Sequence, residues 1–214
     1  MIKVSNISKV YTDKSSEQVV FSDLSIDFKA STSYSIVGPS GSGKTTLLNL
    51  ISGLDSFESG LIDVDGTELS AADPEAKSML RKRLFGFAYQ FHYLLDNLTV
   101  FENCLASCFG HDKGAIDKIL KDLEIEHIKH KLPSNISGGE KQRASIARAL
   151  STKPKILILD EPTGNLDQTN SSIIQDFILN YARKNKSLVI YATHDLPFAK
   201  RADKMLKIGD KGLV

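Results

Sequence analysis

Hydrophobic and polar positions along the chain follow two alternating periods. Three early segments read as strands: "IKVSNISKVY" (2–11), "VVFSDLSIDF" (19–28) and the buried-looking "SYSIVG" (33–38). A helix is predicted over 44–52. "GLIDVDGTEL" (60–69) then predicts a β-hairpin with Asp65-Gly66 as its turn. The stretch from 74 to 132 is mostly helical in pattern, interrupted by the strand-like "FGFAYQ" (85–90). Beyond a further helix opening near 138 come "KILILD" (155–160), a helix over 168–184, "SLVIYATHD" (187–195) and a closing short strand and turn in "KMLKIGDKGLV" (204–214). Apolar strands alternating with helices predict an α/β core around a largely parallel sheet. The early antiparallel strands and the middle helices read as additions to that core.

Composition narrows the class. The 214 residues suffice for one substantial core and a smaller subdomain. With 41% hydrophobic and 25% charged residues, the chain has the make-up of a soluble globular protein. Lys plus Arg (27) nearly balances Asp plus Glu (26), which argues against a nucleic-acid binder working by bulk electrostatics. No apolar run is long enough to span a bilayer, and "MIKVSNISKVY" does not read as a signal peptide. The expected location is therefore cytosolic, with any membrane role exercised through a partner. Cys104 and Cys108 lie four apart on a predicted helix and read as small apolar side chains on one face. His127 and His130 are too few for a metal site and are expected on a solvated helix.

One segment breaks the economy of this pattern. In "SNISGGEKQRASIARAL" (134–150), Ser137 and Glu140 have the spacing of a capping box, which satisfies free N–H groups where a helix begins. Gly138 and Gly139 occupy that same first turn, each about 1 kcal/mol worse there than alanine. They make sense if something must approach those N–H groups closely, and at a helix N-terminus that something is most often an anion.

A second anion site is written more plainly. Gly38-Pro39-Ser40-Gly41-Ser42-Gly43-Lys44-Thr45-Thr46 follows an apolar strand and opens an apolar helix, with the spacing G-x-x-x-x-G-K-[ST]. Successive backbone N–H groups of such a loop curl around the phosphates of a nucleotide. Lys44 is expected to reach the β and γ oxygens, and the Thr45 hydroxyl to ligate Mg²⁺. "KILILD" ends in Asp160 and is followed by Glu161, placing two carboxylates at the C-terminal edge of a buried strand. Asp160 is the expected Mg²⁺ partner and Glu161 the expected base or water-orienting group. His194 closes another apolar strand and could reach the γ-phosphate.

Together these residues resemble the ATP-binding subunits of ABC transporters, over essentially the whole chain. The resemblance implies a P-loop NTPase core with a mainly parallel sheet, an N-terminal antiparallel β-subdomain and an inserted α-helical subdomain. It implies one domain over 1–214, with the helical part at approximately 91–150 inserted in a RecA-like core. Ile136-Ser137-Gly138-Gly139-Glu140 resembles the family signature, with Ile where Leu is usual and Glu where Gln is common. Gln90 stands where the family has a glutamine that senses Mg²⁺ and communicates with the membrane subunit, and His194 where it has a switch histidine. Asn165-Leu166-Asp167 resembles the loop that crosses the dimer interface, and Tyr11 lies where an aromatic packs on adenine.

The implied cofactors are ATP and Mg²⁺. The implied partners are a multi-span membrane subunit and a second ATP-binding subunit, here a second copy of the chain, at the cytoplasmic face of the inner membrane. In such a head-to-tail pair each signature covers the γ-phosphate held by the other chain, which would account for Gly138 and Gly139. "GFAYQFHYLL", "FEN", "SGGEKQR" and "DEPTGNLD" further resemble the lipoprotein-releasing and macrolide-exporting branch. Two departures stand out: Asp96 replaces the branch's usual proline, and the stretch from Cys104 to Pro133 is shorter. A cell-division type of subunit, transmitting force without cargo, is the alternative. A soluble DNA- or ribosome-acting relative is disfavoured by the short separation of Lys44 from Gly138 and by the single cassette.

Overall fold

The computed structural model describes residues 1–13, 16–90, 92–108, 113–164, 166–209 and 212–213. Two sheets form around the first helix. The first is antiparallel, in the order β2 (Ser16–Phe28), β1 (Ile2–Asp13), β4 (Ser59–Val64), β5 (Thr67–Glu68). Its β4–β5 turn is the predicted hairpin: Asp65 and Gly66 both have positive φ, 53° and 85°, as a two-residue turn that matches strand twist requires.

The second sheet runs β10 (Gly212–Leu213), β9 (Lys204–Gly209), β3 (Ser33–Val37), β8 (Leu188–Ala192), β7 (Ile156–Asp160), β6 (Phe85–Ala88). All neighbours pair in parallel except β10, which folds back on β9. Every residue of β3, β7 and β8 is buried, as continuous apolar runs covered on both faces demand.

Strand alternation divides the core in two. Ile156 and Ile158 of β7, with Leu188 and Ile190 of β8, face a cluster shared with the antiparallel sheet and α1 (Lys44–Ile51). Leu157, Leu159, Val189 and Tyr191 face the opposite way, because successive side chains point to opposite faces. That second cluster is closed by the helices between β6 and β7 and by α6 (Gln168–Asn185).

Between β1's sheet and β6 lies α2 (Pro74–Leu84), opened by the Asp73 cap and Pro74. From β6 to β7 the chain forms α3 (Val100–Ser107), α4 (Lys113–Asp122), two 3-10 turns (Glu126–Ile128 and Pro133–Asn135) and α5 (Gly138–Ser151). The expected solvated helix for His127 and His130 is therefore only a short turn and its sequel. Cys104 is buried on α3, and burial pushes its thiol up to about 11; Cys108 caps the helix end, and neither cysteine forms a disulfide.

Two predicted strands stop early. "FGFAYQ" leaves the sheet at Ala88, where His92 N donates to Tyr89 O (3.0 Å). "SLVIYATHD" ends at Ala192, and Asp195 caps a one-turn helix α7 (Leu196–Ala199) that the sequence pattern did not announce. Pro197 at its start pre-sets a helical φ.

Candidate active site

The phosphate loop joins the C-terminal end of β3 to α1, and Asp160 ends β7 two strands away. Parallel strands with helices on their faces open a crevice at their C-terminal ends, where such sheets bind ligands. Packing enforces the curl of the loop. Gly43 has φ 99°, and a Cβ there would lie 2.6 Å from Val20 and 2.9 Å from Phe21 of β2. Lys44 Nζ folds over the loop and donates to the carbonyls of Gly38 (2.9 Å) and Pro39 (3.0 Å).

Thr45 Oγ1 donates to Asp160 Oδ2 (2.7 Å), bridging the start of α1 and the end of β7. Asp160 is 6% exposed, and burial raises its pKa, with the Glu161 charge adding to the rise; the Thr45 hydrogen bond and the Lys44 charge oppose it. A buried carboxylate in this state favours a cation beside it. With the threonine hydroxyl it supplies hard oxygen donors of the kind Mg²⁺ prefers. The residues present fit the implied metal.

Glu161 adopts φ 49°, a left-handed conformation uncommon outside glycine. Its N–H donates to Ala192 O (3.0 Å), and its Oε2 meets His194 Nδ1 at 2.9 Å. The strand-end turn thus swings the Glu161 carboxylate across to the end of β8. Glu161, Thr163, Gly164, Leu166, Thr193 and His194 line a cavity of about 370 Å³. Residue order assigns Glu161 and His194 separate roles; the fold makes them a pair. The strain at Glu161 has no signature in the residue order.

Tyr11 lines a second cavity, of about 250 Å³, together with Gly41, Gly43, Lys44, Thr45 and Thr46. Its hydroxyl donates to Asp55 Oδ2 (2.6 Å), and Lys9 Nζ lies 4.5 Å from its ring centroid. Lys9 is itself almost buried and bound to Asp55 at 3.0 Å. Asp55, which the sequence did not single out, therefore anchors both.

Gln90 is exposed, just past the end of β6 and next to β7, whose Leu159 pairs with Ala88. Asp167 caps α6 by accepting from Asn170 N (2.9 Å), and Asn170 Oδ1 accepts from Arg143 of α5 (3.0 Å). Asn165, expected in the same loop, lies outside the described residues.

The predicted capping box at α5 forms in full. Ser137 Oγ accepts from Glu140 N (3.3 Å), and Glu140 Oε2 accepts from Ser137 N (2.8 Å). Hydrogen bonds donated to Glu140 Oε2 by the Ser137 backbone N–H first and the Ser137 hydroxyl (2.8 Å) second lower the pKa of the Glu140 carboxyl. Its other oxygen meets His127 Nε2 at 3.2 Å. A Cβ at Gly138 would meet nothing within 4 Å. Among the described residues, no hydrogen bond joins Ser137–Glu140 to the phosphate loop within one chain.

Similarity to known proteins agrees with this geometry. The ABC transporter family profile matches residues 21–164. The lipoprotein-releasing system ATP-binding protein LolD of Wigglesworthia glossinidia brevipalpis is 39% identical, over 97% of this chain and 93% of its own length. That of Treponema denticola is 34% identical, over 97% and 95%. A dimeric post-hydrolysis structure of the ATP-binding cassette MJ0796, bound to ADP and Pi, superposes with TM-score 0.94 at 28% identity, over all of this chain and 96% of that one. The chain therefore belongs to the ABC transporter family, as an ATP-hydrolysing subunit.

Proposed function

We propose that two copies of this chain form a head-to-tail pair that hydrolyses ATP beneath a multi-span membrane subunit and so powers the release of a lipoprotein. The observation that carries the reading is the pairing of Thr45 with Asp160 and of Glu161 with His194 at one sheet edge, while a Cβ at Gly138 of α5 would meet nothing within 4 Å. The relatives named above, described as lipoprotein-releasing, support the cargo class. No helix among the described residues is long and apolar enough to cross a membrane. The proposed location is peripheral, at the cytoplasmic face of the inner membrane. On this reading residues 91–150 are the helical part inserted in the core.

In the proposed reaction the loop N–H groups and Lys44 hold the β- and γ-phosphates, and Tyr11 borders the adenine. Thr45, Asp160 and Gln90 would hold Mg²⁺, which when bound draws charge from the phosphate oxygens. Glu161 accepts a proton from the attacking water as the new oxygen–phosphorus bond forms and the β–γ bridge breaks, its electron pair leaving with ADP. His194 holds the Glu161 carboxylate in place. The partner's Ser137-Gly138-Gly139-Glu140 turn supplies N–H groups to the γ-phosphate, and Asp167 borders the same interface.

Size-exclusion chromatography of Glu161→Gln with ATP tests the pair: dimers that revert to monomers without nucleotide are expected, and monomers throughout would overturn it. For cargo, the chain reconstituted with its membrane partner in proteoliposomes should release an acylated lipoprotein only with ATP. ATP turnover in those vesicles without release would reject the cargo assignment.

A further inference from the structure

Two contacts to the Glu161 carboxylate come from a single residue. His194 Nδ1 meets Glu161 Oε2 at 2.9 Å, and the His194 backbone N–H donates to the same oxygen at 3.4 Å. The His194 side chain is 74% exposed, so its place is set chiefly by the backbone that carries it. The position of residues 193–195 therefore decides how Glu161 is held.

That stretch is pinned on one side by the sheet, where Thr193 N donates to Ile36 O of β3 (3.0 Å). On the other side stands Asp195, whose two carboxylate oxygens have different partners. Oδ1 accepts from Phe198 N (3.0 Å) and opens α7, while Oδ2 accepts from the side-chain amide of Gln175 on α6 (3.1 Å). The Gln175 amide oxygen in turn accepts from Arg201 Nη1 (3.0 Å), just past α7, and Arg201 Nη2 donates to Asp176 on α6. The short helix between them is itself fixed. Tyr191 OH donates to Phe198 O (3.0 Å), and Ser35 Oγ donates to Ala199 O (2.8 Å). A closed ring thus runs from Asp195 through α7 to Arg201, on to Gln175 and back to Asp195.

Gln175 is 8% exposed, on a stretch of α6 that also buries Ile174 and Ile178. A buried amide is costly unless both of its ends are paired, and here each end meets a charged group. An apolar residue would fill the position without that demand. What the amide adds is a tie between α6 and the segment that carries His194. The tie also borders the site: Asp195 and Ser171 of α6 line the same cavity as Glu161 and His194. We propose that Gln175, steadied by Arg201, is a positioning residue for ATP hydrolysis. Acting through Asp195, it sets the backbone of residue 194 and so the place of the Glu161 carboxylate. The inference rests on the roles proposed above for Glu161 and His194.

The test exchanges donor and acceptor across the Gln175–Asp195 bond in the full chain. Gln175→Glu keeps an acceptor for Arg201 but sets a carboxylate against Asp195, and kcat should fall about tenfold. KM and monomer affinity for a fluorescent ATP analogue should change less than about twofold, since no nucleotide contact is removed. Asp195→Asn alone should also lower kcat, by opposing two amide donors. Combining the two restores a donor–acceptor pair and keeps a residue that caps helices well, so kcat should return to within about threefold of wild type. Gln175→Met keeps the shape, loses both bonds and should not be rescued by Asp195→Asn. Arg201→Met, at an exposed position, carries the test if the Gln175 variants misfold, with a kcat loss of about two- to threefold.

A merely structural tie would lower the melting temperature and leave kcat at its wild-type value, or make the losses of Gln175→Glu and Asp195→Asn add. Either result overturns the proposal, as does wild-type kcat in Arg201→Met where that variant alone folds. If Glu161→Gln and His194→Ala themselves keep wild-type turnover, the reading of the site fails and this inference with it. If those two lose turnover while the Gln175 variants keep it, the positioning role alone is overturned.

Discussion

The loop before α1 is crowded at its two ends, at Gly38 and Gly43, whereas a side chain would meet open space at Gly138 in the first turn of α5. At Gly43 a single added carbon would collide with Val20 and Phe21, and at Gly138 it would touch nothing. Both places turn backbone N–H groups outward at the start of a helix. The first is shaped by the chain's own packing: its lysine folds back onto the loop carbonyls and its threonine reaches Asp160 inside one fold. The second carries glycine although nothing in the fold requires it, at a cost of about 1 kcal/mol against alanine. A residue costly to its own helix and unneeded by its own packing is what the proposed contact with a partner's nucleotide would call for. Glu140 fits the same division, since its carboxylate is spent on closing the cap rather than on a ligand.

The largest expected effect breaks the crowded region. Glu161→Gln removes the proton acceptor while keeping shape, and ATP turnover should fall by roughly 10²–10⁴-fold with ATP binding retained. Unchanged turnover in a phosphate-release assay would remove Glu161 from the chemistry. Next comes the open region. A Cβ at Gly138 meets nothing within 4 Å, so the Gly138→Leu monomer should fold and bind ATP normally while turnover falls about 100-fold. Loss of ATP binding by the isolated monomer would show that this turn serves its own nucleotide.

Smaller still is Lys44→Ala. With the loop shape left intact, ATP affinity measured by calorimetry should weaken by about 10- to 100-fold, the loss of one or two charge-assisted hydrogen bonds. Normal affinity would contradict the phosphate assignment.

The smallest effect sharpens the comparison without touching chemistry. Ser137→Ala deletes the cap and should cost about 1 kcal/mol, or about 2–4 °C in melting temperature. Because Glu140 has a lowered pKa, the stability it contributes is present above the ordinary carboxylate range and is lost as pH falls through its folded value. Wild type should therefore lose more stability on acidification than Glu140→Gln, and parallel melting curves would refute the role of the cap in the folded chain.

Much of this was legible in residue order, for reasons that are local. A phosphate loop needs glycines at fixed offsets from a lysine, and a capping box needs a serine three residues before a glutamate. The Asp65-Gly66 turn is equally local, since two positive φ angles in succession suit few residue pairs. The ends of β6 and β8 were not legible. Tyr89 and Thr193 are as apolar or as β-prone as what precedes them, and only hydrogen bonds such as His92 N to Tyr89 O decide where pairing stops. "FEN" could be read as a likeness, but the work of Asn103, gathering three carbonyls, needed the loop to be folded around it.

By itself the sequence determined the alternation of strands and helices, the phosphate loop and the helix caps. Each of these depends on residues a few positions apart, where propensity and side-chain reach act directly. Tertiary structure alone decided that Thr45 meets Asp160 across 115 positions, that Glu161 leans on His194 across 33, and that Arg148 grips Tyr93 across 55. Such pairings arise only when strand order and helix packing bring distant segments together, and no local preference specifies which carboxylate, imidazole or carbonyl will be there.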